Sequence, residues 1–301
     1  MNAREWLSAS GEDDLDIAVL GAPIAKASIS PSQAWSTPPA FREALKRFPT
    51  WDARHSTDVA GLRVRDLGDV AGDRDEPDAS AAHERIRKAV QSAFAVAPVV
   101  VVIGGDNSLT RPAMVGAMGA SPREGWGLLT LDAHHDCRPA DGVPRNGTPV
   151  RDLIEAGLPG GRVAQVGIAA FGNAREHAEW AAAHGVHVYP RERVSESGAA
   201  AVIGAALARL ERSGAGSIYV DIDIDVADRA FAPACPASMP GGLLPGELLA
   251  AVRALGQHPR VRAADITEVD ANADVNGMTV RLAAAVFMAF CSGVAARRQR
   301  R

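Results

Sequence analysis

Short apolar runs rich in Val, Ile and Leu recur along the chain, at 15–20, 98–103, 127–131, 163–168, 186–189, 217–224 and 261–266. Several carry almost no polar alternation, the pattern of strands covered on both faces in a parallel sheet. Between them, 80–94, 175–184, 199–213, 245–256 and 278–295 read as helices. Strand–helix alternation through the whole length predicts the α/β class: one three-layer αβα domain with a mainly parallel sheet, residues 1–301. No repeat, linker or compositional break divides it. The Ser/Pro-rich stretch 26–39 and the Gly/Asp-rich stretch 69–78 predict loops. The polar ends, 1–14 and 296–301, are expected to be flexible.

The polar residues fall at informative places. Gly104-Gly105-Asp106-Asn107-Ser108 follows one buried run directly; Asp132–Asp136 follows the next, Asp223 and Asp225 close another, and Glu268 follows a fourth. In open parallel sheets the ligand crevice lies outside the carboxyl ends of the strands. Four separate runs therefore deliver acid or amide side chains to one edge. Alternate side chains of extended backbone share a face, so Asp132, His134 and Asp136 are expected to point one way, and Asp223 and Asp225 likewise. Carboxylates crowded together raise one another's pKa unless a cation is present. Four aspartates and one imidazole suit Mn²⁺ or Mg²⁺ better than zinc. Two divalent cations would neutralise the four carboxylates, so the set predicts a binuclear site with Asp132 and Asp223 as candidate bridges. Water shared between two metals ionises near neutral pH, which predicts a hydrolase. Asp106 and Asp221 are expected to stand beside the ligands rather than among them, and Asp228 to brace the following loop. Cys137 and Cys235 are left out of the set because hard cations disfavour thiolate.

Composition narrows the partners. A chain of 301 residues, 47% hydrophobic, can bury a full α/β core. A formal net charge of −4 argues against nucleic acid or an anionic membrane as partner and leaves a small molecule. Three scattered cysteines, Cys137, Cys235 and Cys291, make no disulfide framework and fit a reducing, cytoplasmic setting. Residues 1–16 are polar and acidic, with no signal-peptide pattern, and the apolar runs are strand-length, so no bilayer span is expected.

Read in order, the motifs resemble the ureohydrolase superfamily of arginases, agmatinases and formimidoylglutamases. They are Gly-Gly-Asp-Asn-Ser (104–108), Asp-Ala-His-His-Asp (132–136), Asn-Gly-Thr-Pro (146–149), Asp-Ile-Asp (223–225), Ala-Pro-Ala-Cys-Pro (232–236) and Glu-Val-Asp (268–270). The doubled histidine and the Ala-Pro-Ala-Cys-Pro turn are most like formimidoylglutamases. The resemblance implies an arginase-like fold, a homo-oligomer and two Mn²⁺. It assigns Asp132 and Asp223 as bridges, His134 and Asp225 to one metal, Asp136 to the other, and Glu268 to the cationic amidine or guanidine of the substrate. It further implies hydrolysis of a linear amidine, N-formimidoyl-L-glutamate giving L-glutamate and formamide, a step in histidine breakdown. The alternatives are an agmatinase or other guanidino-acid hydrolase releasing urea, and a non-catalytic homologue.

Two positions depart from the family. Asn107 and Asn146 stand where histidine is usual. An amide oxygen binds manganese more weakly than imidazole, so Asn107 predicts a labile first metal. Without a histidine at 146, Asp136 is the candidate to carry the proton to the leaving amine, and Asn146 a substrate-binding residue. Asp270 is expected beside Glu268 at the substrate nitrogens. A substrate with two carboxylates needs donors, for which Arg138, Arg145 and Arg151 are the candidates. Asn173 is a further donor or a helix N-cap. His135 is expected to pack, or else to replace the missing imidazole.

Overall fold

The computed structural model describes residues 1–9, 14–121, 125–139 and 141–299. In chain order the elements are α1 (Ala3–Ala9), β1 (Ile17–Ala22), α2 (Thr37–Ala44), β2 (Trp51–Asp52), β3 (Thr57–Asp58), β4 (Val64–Asp69), α3 (Ser80–Ala93) and β5 (Val100–Gly104). Next come α4 (Thr110–Ala120), β6 (Trp126–Leu131), α5 (Pro149–Glu155), β7 (Val163–Ile168), α6 (Arg175–Ala183), β8 (His187–Pro190) and α7 (Arg191–Ser197). The chain closes with α8 (Ala199–Arg212), β9 (Ser217–Asp223), α9 (Pro245–Gln257), β10 (Val261–Thr267) and α10 (Met278–Gln299).

Eight strands form one sheet in the order β4-β1-β5-β10-β9-β6-β7-β8, and each neighbouring pair is parallel. Every residue of β1, β5, β6, β7 and β9 is buried, as their unbroken apolar runs require. One core layer packs Phe41, Leu207, Leu248 and Phe287 on one face; the other packs Ile86, Met114, Leu153 and Ala181 on the opposite face. The domain is thus the expected three-layer α/β sandwich.

The strands ending at Gly104, Thr267, Asp223 and Leu131 are the four adjacent central ones, β5-β10-β9-β6. Register keeps their ends level: Ile266 pairs with Ile103 and with Ile222, and Ile222 in turn with Leu131. The loop leaving each of these strands is therefore delivered to one patch.

Both chain ends carry helices within the stretches expected to be flexible, of which residues 10–13 lie outside the described residues. Asn2 and Glu5 cap α1 reciprocally (Glu5 N to Asn2 Oδ1 2.9 Å, Asn2 N to Glu5 Oε2 3.0 Å), which lets a short helix start without its own core. Trp6 then anchors it, buried and donating its indole N–H to Leu62 O. At the other end α10 continues to Gln299: Arg297 donates to His258 O and Val261 O, and Arg298 pairs with Asp16 at 2.6 Å. Arg300 and Arg301 lie outside the described residues. The expected loop 26–39 gives way to α2 at Thr37. The apolar runs do include one helix, α10, long and apolar enough to cross a bilayer, but most of it is buried in the protein core.

Candidate metal centre and substrate cleft

Gly105 lets the first loop approach the centre: a Cβ there would sit 2.2 Å from Ile24 O, so only glycine fits. The same residue's carbonyl accepts Glu268 N at 2.9 Å and ties the β5 and β10 loops together. Asp106 accepts from Ser108 N (3.0 Å) and Ala27 N (3.2 Å), bracing the loop as expected for a residue outside the ligand set.

The metal box is shaped by turns, not by the pleat expected from alternation. β6 ends at Leu131, and Asp136 takes a left-handed φ of 50°. β9 ends at Asp223, whose Oδ1 accepts Asp225 N (2.8 Å) and closes a helical turn that brings Asp225 round. The outcome is still convergence. His134 Nδ1 lies 2.6 Å from Asp225 Oδ2 and 3.5 Å from Asp132 Oδ1. Asp132, His134 and Asp225 each bring a donor atom within 4.8 Å of the others.

Asn107 links the remaining acids. Its backbone N–H donates to Glu268 Oε1 (2.7 Å) and its side-chain amide to Asp136 Oδ2 (2.7 Å). Its Oδ1 accepts from Thr110 (3.0 Å) and Thr267 (2.9 Å). Glu268 has a left-handed φ of 64°, so two site acids sit in conformations that are unfavourable without glycine. Glu268 Oε1 also accepts Asn146 Nδ2 (3.0 Å), and Asn146 Oδ1 accepts Ile29 N (3.0 Å). Both ends of the Asn146 amide are thus held by protein groups.

The charge balance points to a cation. Burial, then Asp136, Asp225 and Asp221, push Asp132 well above the carboxylate range; burial, then Asp225, Asp132 and Glu268, do the same to Asp223. Burial raises Asp136 to about 7 and Glu268 to about 8. Burial disfavours the charged form of both His134 and Asp225, but their pairing prevails: His134 rises to about 9 and Asp225 falls. Asp132 Oδ2 and Glu268 Oε2 are buried with no hydrogen-bond partner. Buried carboxylate oxygens left in this way are what a divalent cation, or a cationic ligand, would satisfy. The oxygen-rich donor set fits manganese.

Other candidates sort clearly. His135 bonds Gln165 Oε1 (2.7 Å) and is buried, so it packs instead of replacing an imidazole. Asn173 accepts His135 N and donates to Ala133 O, bracing the metal box; the N-cap of α6 is Ala174. Asp270 is turned to Gln33 N and its own turn, away from the role expected beside Glu268. Asp228 braces its loop through Ala230 N and Gly241 N. Asp221 is buried behind the ligands. Burial raises the Cys137 and Cys235 thiols, which keeps them protonated. Above the acids opens a cleft of about 100 Å³, room for one small solute. Arg138 and Asn146 line it; Arg145 and Arg151 do not, and Arg151 instead pairs with Glu155 and covers Trp180. Ser30, from the expected loop 26–39, lines it as well, and so does His177, which no sequence signal singled out.

A fold of this kind, with carboxylates gathered at the ends of its central strands, has known counterparts. The model of the arginase family matches residues 15–292, and the chain belongs to that family. It is 38% identical over 279 residues to the formimidoylglutamase of Halalkalibacterium halodurans, covering 91% of this chain and 86% of the relative. The crystal structure of Bacillus subtilis formimidoylglutamase superposes with a TM-score of 0.90 at 32% identity, covering 98% of this chain and 92% of that one. Trypanosoma cruzi formiminoglutamase, solved with Mn²⁺, superposes with a TM-score of 0.90 at 25% identity over 99% of both chains.

Proposed function

We propose that the protein hydrolyses N-formimidoyl-L-glutamate to L-glutamate and formamide with a pair of Mn²⁺ ions, in the cytoplasm. One observation carries the reading: the ends of β6 and β9 gather Asp132, His134, Asp136, Asp223 and Asp225, the neighbouring ends of β5 and β10 add Asn107 and Glu268, and a buried oxygen of Asp132 is left unpartnered among them, in a chain similar throughout to formimidoylglutamases. The four carboxylates match the charge of two divalent cations. Asp132 and Asp223 would bridge, His134 and Asp225 would complete one site, and Asp136 and Asn107 the other. Buried free thiols support the cytoplasmic setting.

Bound manganese supplies the Lewis acidity that makes water nucleophilic at neutral pH and steadies charge as the amidine carbon becomes tetrahedral. The chain's own residues do the rest. Glu268, held through Oε1 by Asn107 and Asn146, offers its free Oε2 to the cationic amidine nitrogens. Asn146 thereby acts by orienting Glu268. Asp136, fixed through Oδ2 by Asn107, is placed to pass the proton of the attacking water to the leaving amine.

The test is product analysis of Mn²⁺-loaded protein over N-formimidoyl-L-glutamate, agmatine and guanidino acids. Formamide from the first and no urea from the others is expected; urea as the main product makes the protein a guanidine hydrolase instead.

A further inference from the structure

The cleft is chemically polar from floor to mouth. Its floor is acidic, with Asp136, Asp223, Asp225 and Glu268, and its mouth carries Arg138 and His177. His134 also lines the cleft, but Asp225 engages its ring. The two neutral amides in the lining are committed: Asn146 to Glu268 and Ile29, Asn173 to His135 and Ala133. Among the described residues, no protein group hydrogen-bonds or ion-pairs with the Arg138 guanidinium or the His177 ring. Two donors are therefore free in the more exposed part of the lining, while the acids are buried.

Arg138 is placed by a neighbour. Its backbone N–H donates to Gly147 O (3.0 Å), and its stem crosses that residue so closely that a Cβ on Gly147 would lie 2.8 Å from Arg138 Cδ. Glycine at 147 leaves the path for the arginine. His177 comes from the first turn of α6 and lines the same cleft. Burial and the nearby Arg138 lower its basicity, so it offers a neutral ring N–H while Arg138 supplies the charge.

We propose that Arg138 and His177 set the specificity of the cleft by holding the two carboxylates of an N-formimidoyl dicarboxylic amino acid, Arg138 gripping one through its fork and His177 donating to the other. The proposal rests on the amidine-hydrolase function and adds the residues that read the far end of the substrate. The same pair disfavours agmatine, whose far end is an ammonium group.

The test compares Mn²⁺-loaded wild type with Arg138→Ala, His177→Ala, His177→Gln and Gly147→Ala. Hydrogen bonds to a charged group imply that KM for N-formimidoyl-L-glutamate rises by about 10- to 100-fold in Arg138→Ala and His177→Ala, with kcat nearly unchanged. Hydrolysis of an N-formimidoyl alkylamine without carboxylates should not change. His177→Gln, which keeps an N–H donor, should recover part of the loss, and Gly147→Ala should mimic Arg138→Ala more weakly. Equal KM ratios across wild type and variants overturn the proposal. Calorimetric binding of L-glutamate separates this from the reaction itself. If wild type releases no formamide yet binds glutamate, and the variants bind it more weakly, the reaction assignment fails and the clamp stands. If glutamate binding is absent, or is the same in all, the clamp is wrong.

Discussion

Asn107 holds Asp136 by a side-chain hydrogen bond of 2.7 Å, in the place where a histidine ligand is usual for the family. Its amide oxygen already accepts from Thr110 and Thr267, so any metal there competes with two hydroxyls for it. We expect one manganese to leave at lower chelator concentration than the other, and Asn107→His to close that gap. Elemental analysis through a chelator titration reads this directly, and simultaneous loss of both ions from the wild type refutes it.

Replacing Asp223 by Asn should separate chemistry from stability. On the proposed function Asp223 is a metal ligand, whose loss costs turnover more than that of an outer-shell group, so activity should fall by at least about 100-fold. Without metal, however, the variant should melt higher than wild type, because one buried carboxylate strained by Asp225, Asp132 and Glu268 is gone. Retained turnover would favour a non-catalytic role for this cluster.

Metal-free stability should fall as pH rises from about 6.5 to about 8.5. Asp136 (about 7) and Glu268 (about 8) keep protons in the folded state that the unfolded chain releases near pH 4, so their contribution is full below that value and is lost as pH rises through about 7 to 8. His134 (about 9) acts in the same direction, losing its contribution near the top of the range. His83, lowered to about 4 by burial, acts oppositely but only below about pH 6.5. Saturating Mn²⁺ should flatten or reverse the trend by favouring the ionised carboxylates. Melting curves with and without Mn²⁺ decide it; a metal-free midpoint that is higher at the alkaline end contradicts the sign.

Gly105→Ala should destabilise the fold by about 1–3 kcal/mol, since its methyl would press on the Ile24 backbone. Trp6→Ala should cost about 3–5 kcal/mol, as for other large buried aromatics, despite lying close to the start of the chain. Denaturant midpoints test both, and a near-neutral Trp6→Ala would show that α1 adds little to the core.

The strand ladder could be read in advance because parallel strands buried on both faces have no polar alternation to confuse the pattern. β4 escaped notice for the opposite reason: Val64-Arg65-Asp66-Leu67-Gly68-Asp69 is an edge strand that carries polar side chains, and Arg42 and Asp66 pair across it. α4 hid behind Pro112 and its glycines, and α1 behind its shortness, although Asn2 and Glu5 announce its cap. The acids of the centre were legible from residue type and from their position after strands. Their geometry was not, since a left-handed Asp136 and a turn closed by Asp223 depend on tertiary packing. The pairing of Asn107 with Thr267, and the approach of His177 to Arg138, join segments distant in sequence through side chains that no local pattern relates.

β10 follows the other seven described strands of the sheet in chain order, yet it occupies the middle of the sheet, between β5 and β9. Without β10 the sheet order leaves β5 and β9 each with an unpaired edge, facing a slot that only this strand fills. Insertion of that strand seals the gap and, in the same event, brings Glu268 and Thr267 against Asn107. Assembly of the centre therefore waits for this strand, and chains truncated before β10 carry the acids of β6 and β9 without Glu268 and Thr267 against Asn107.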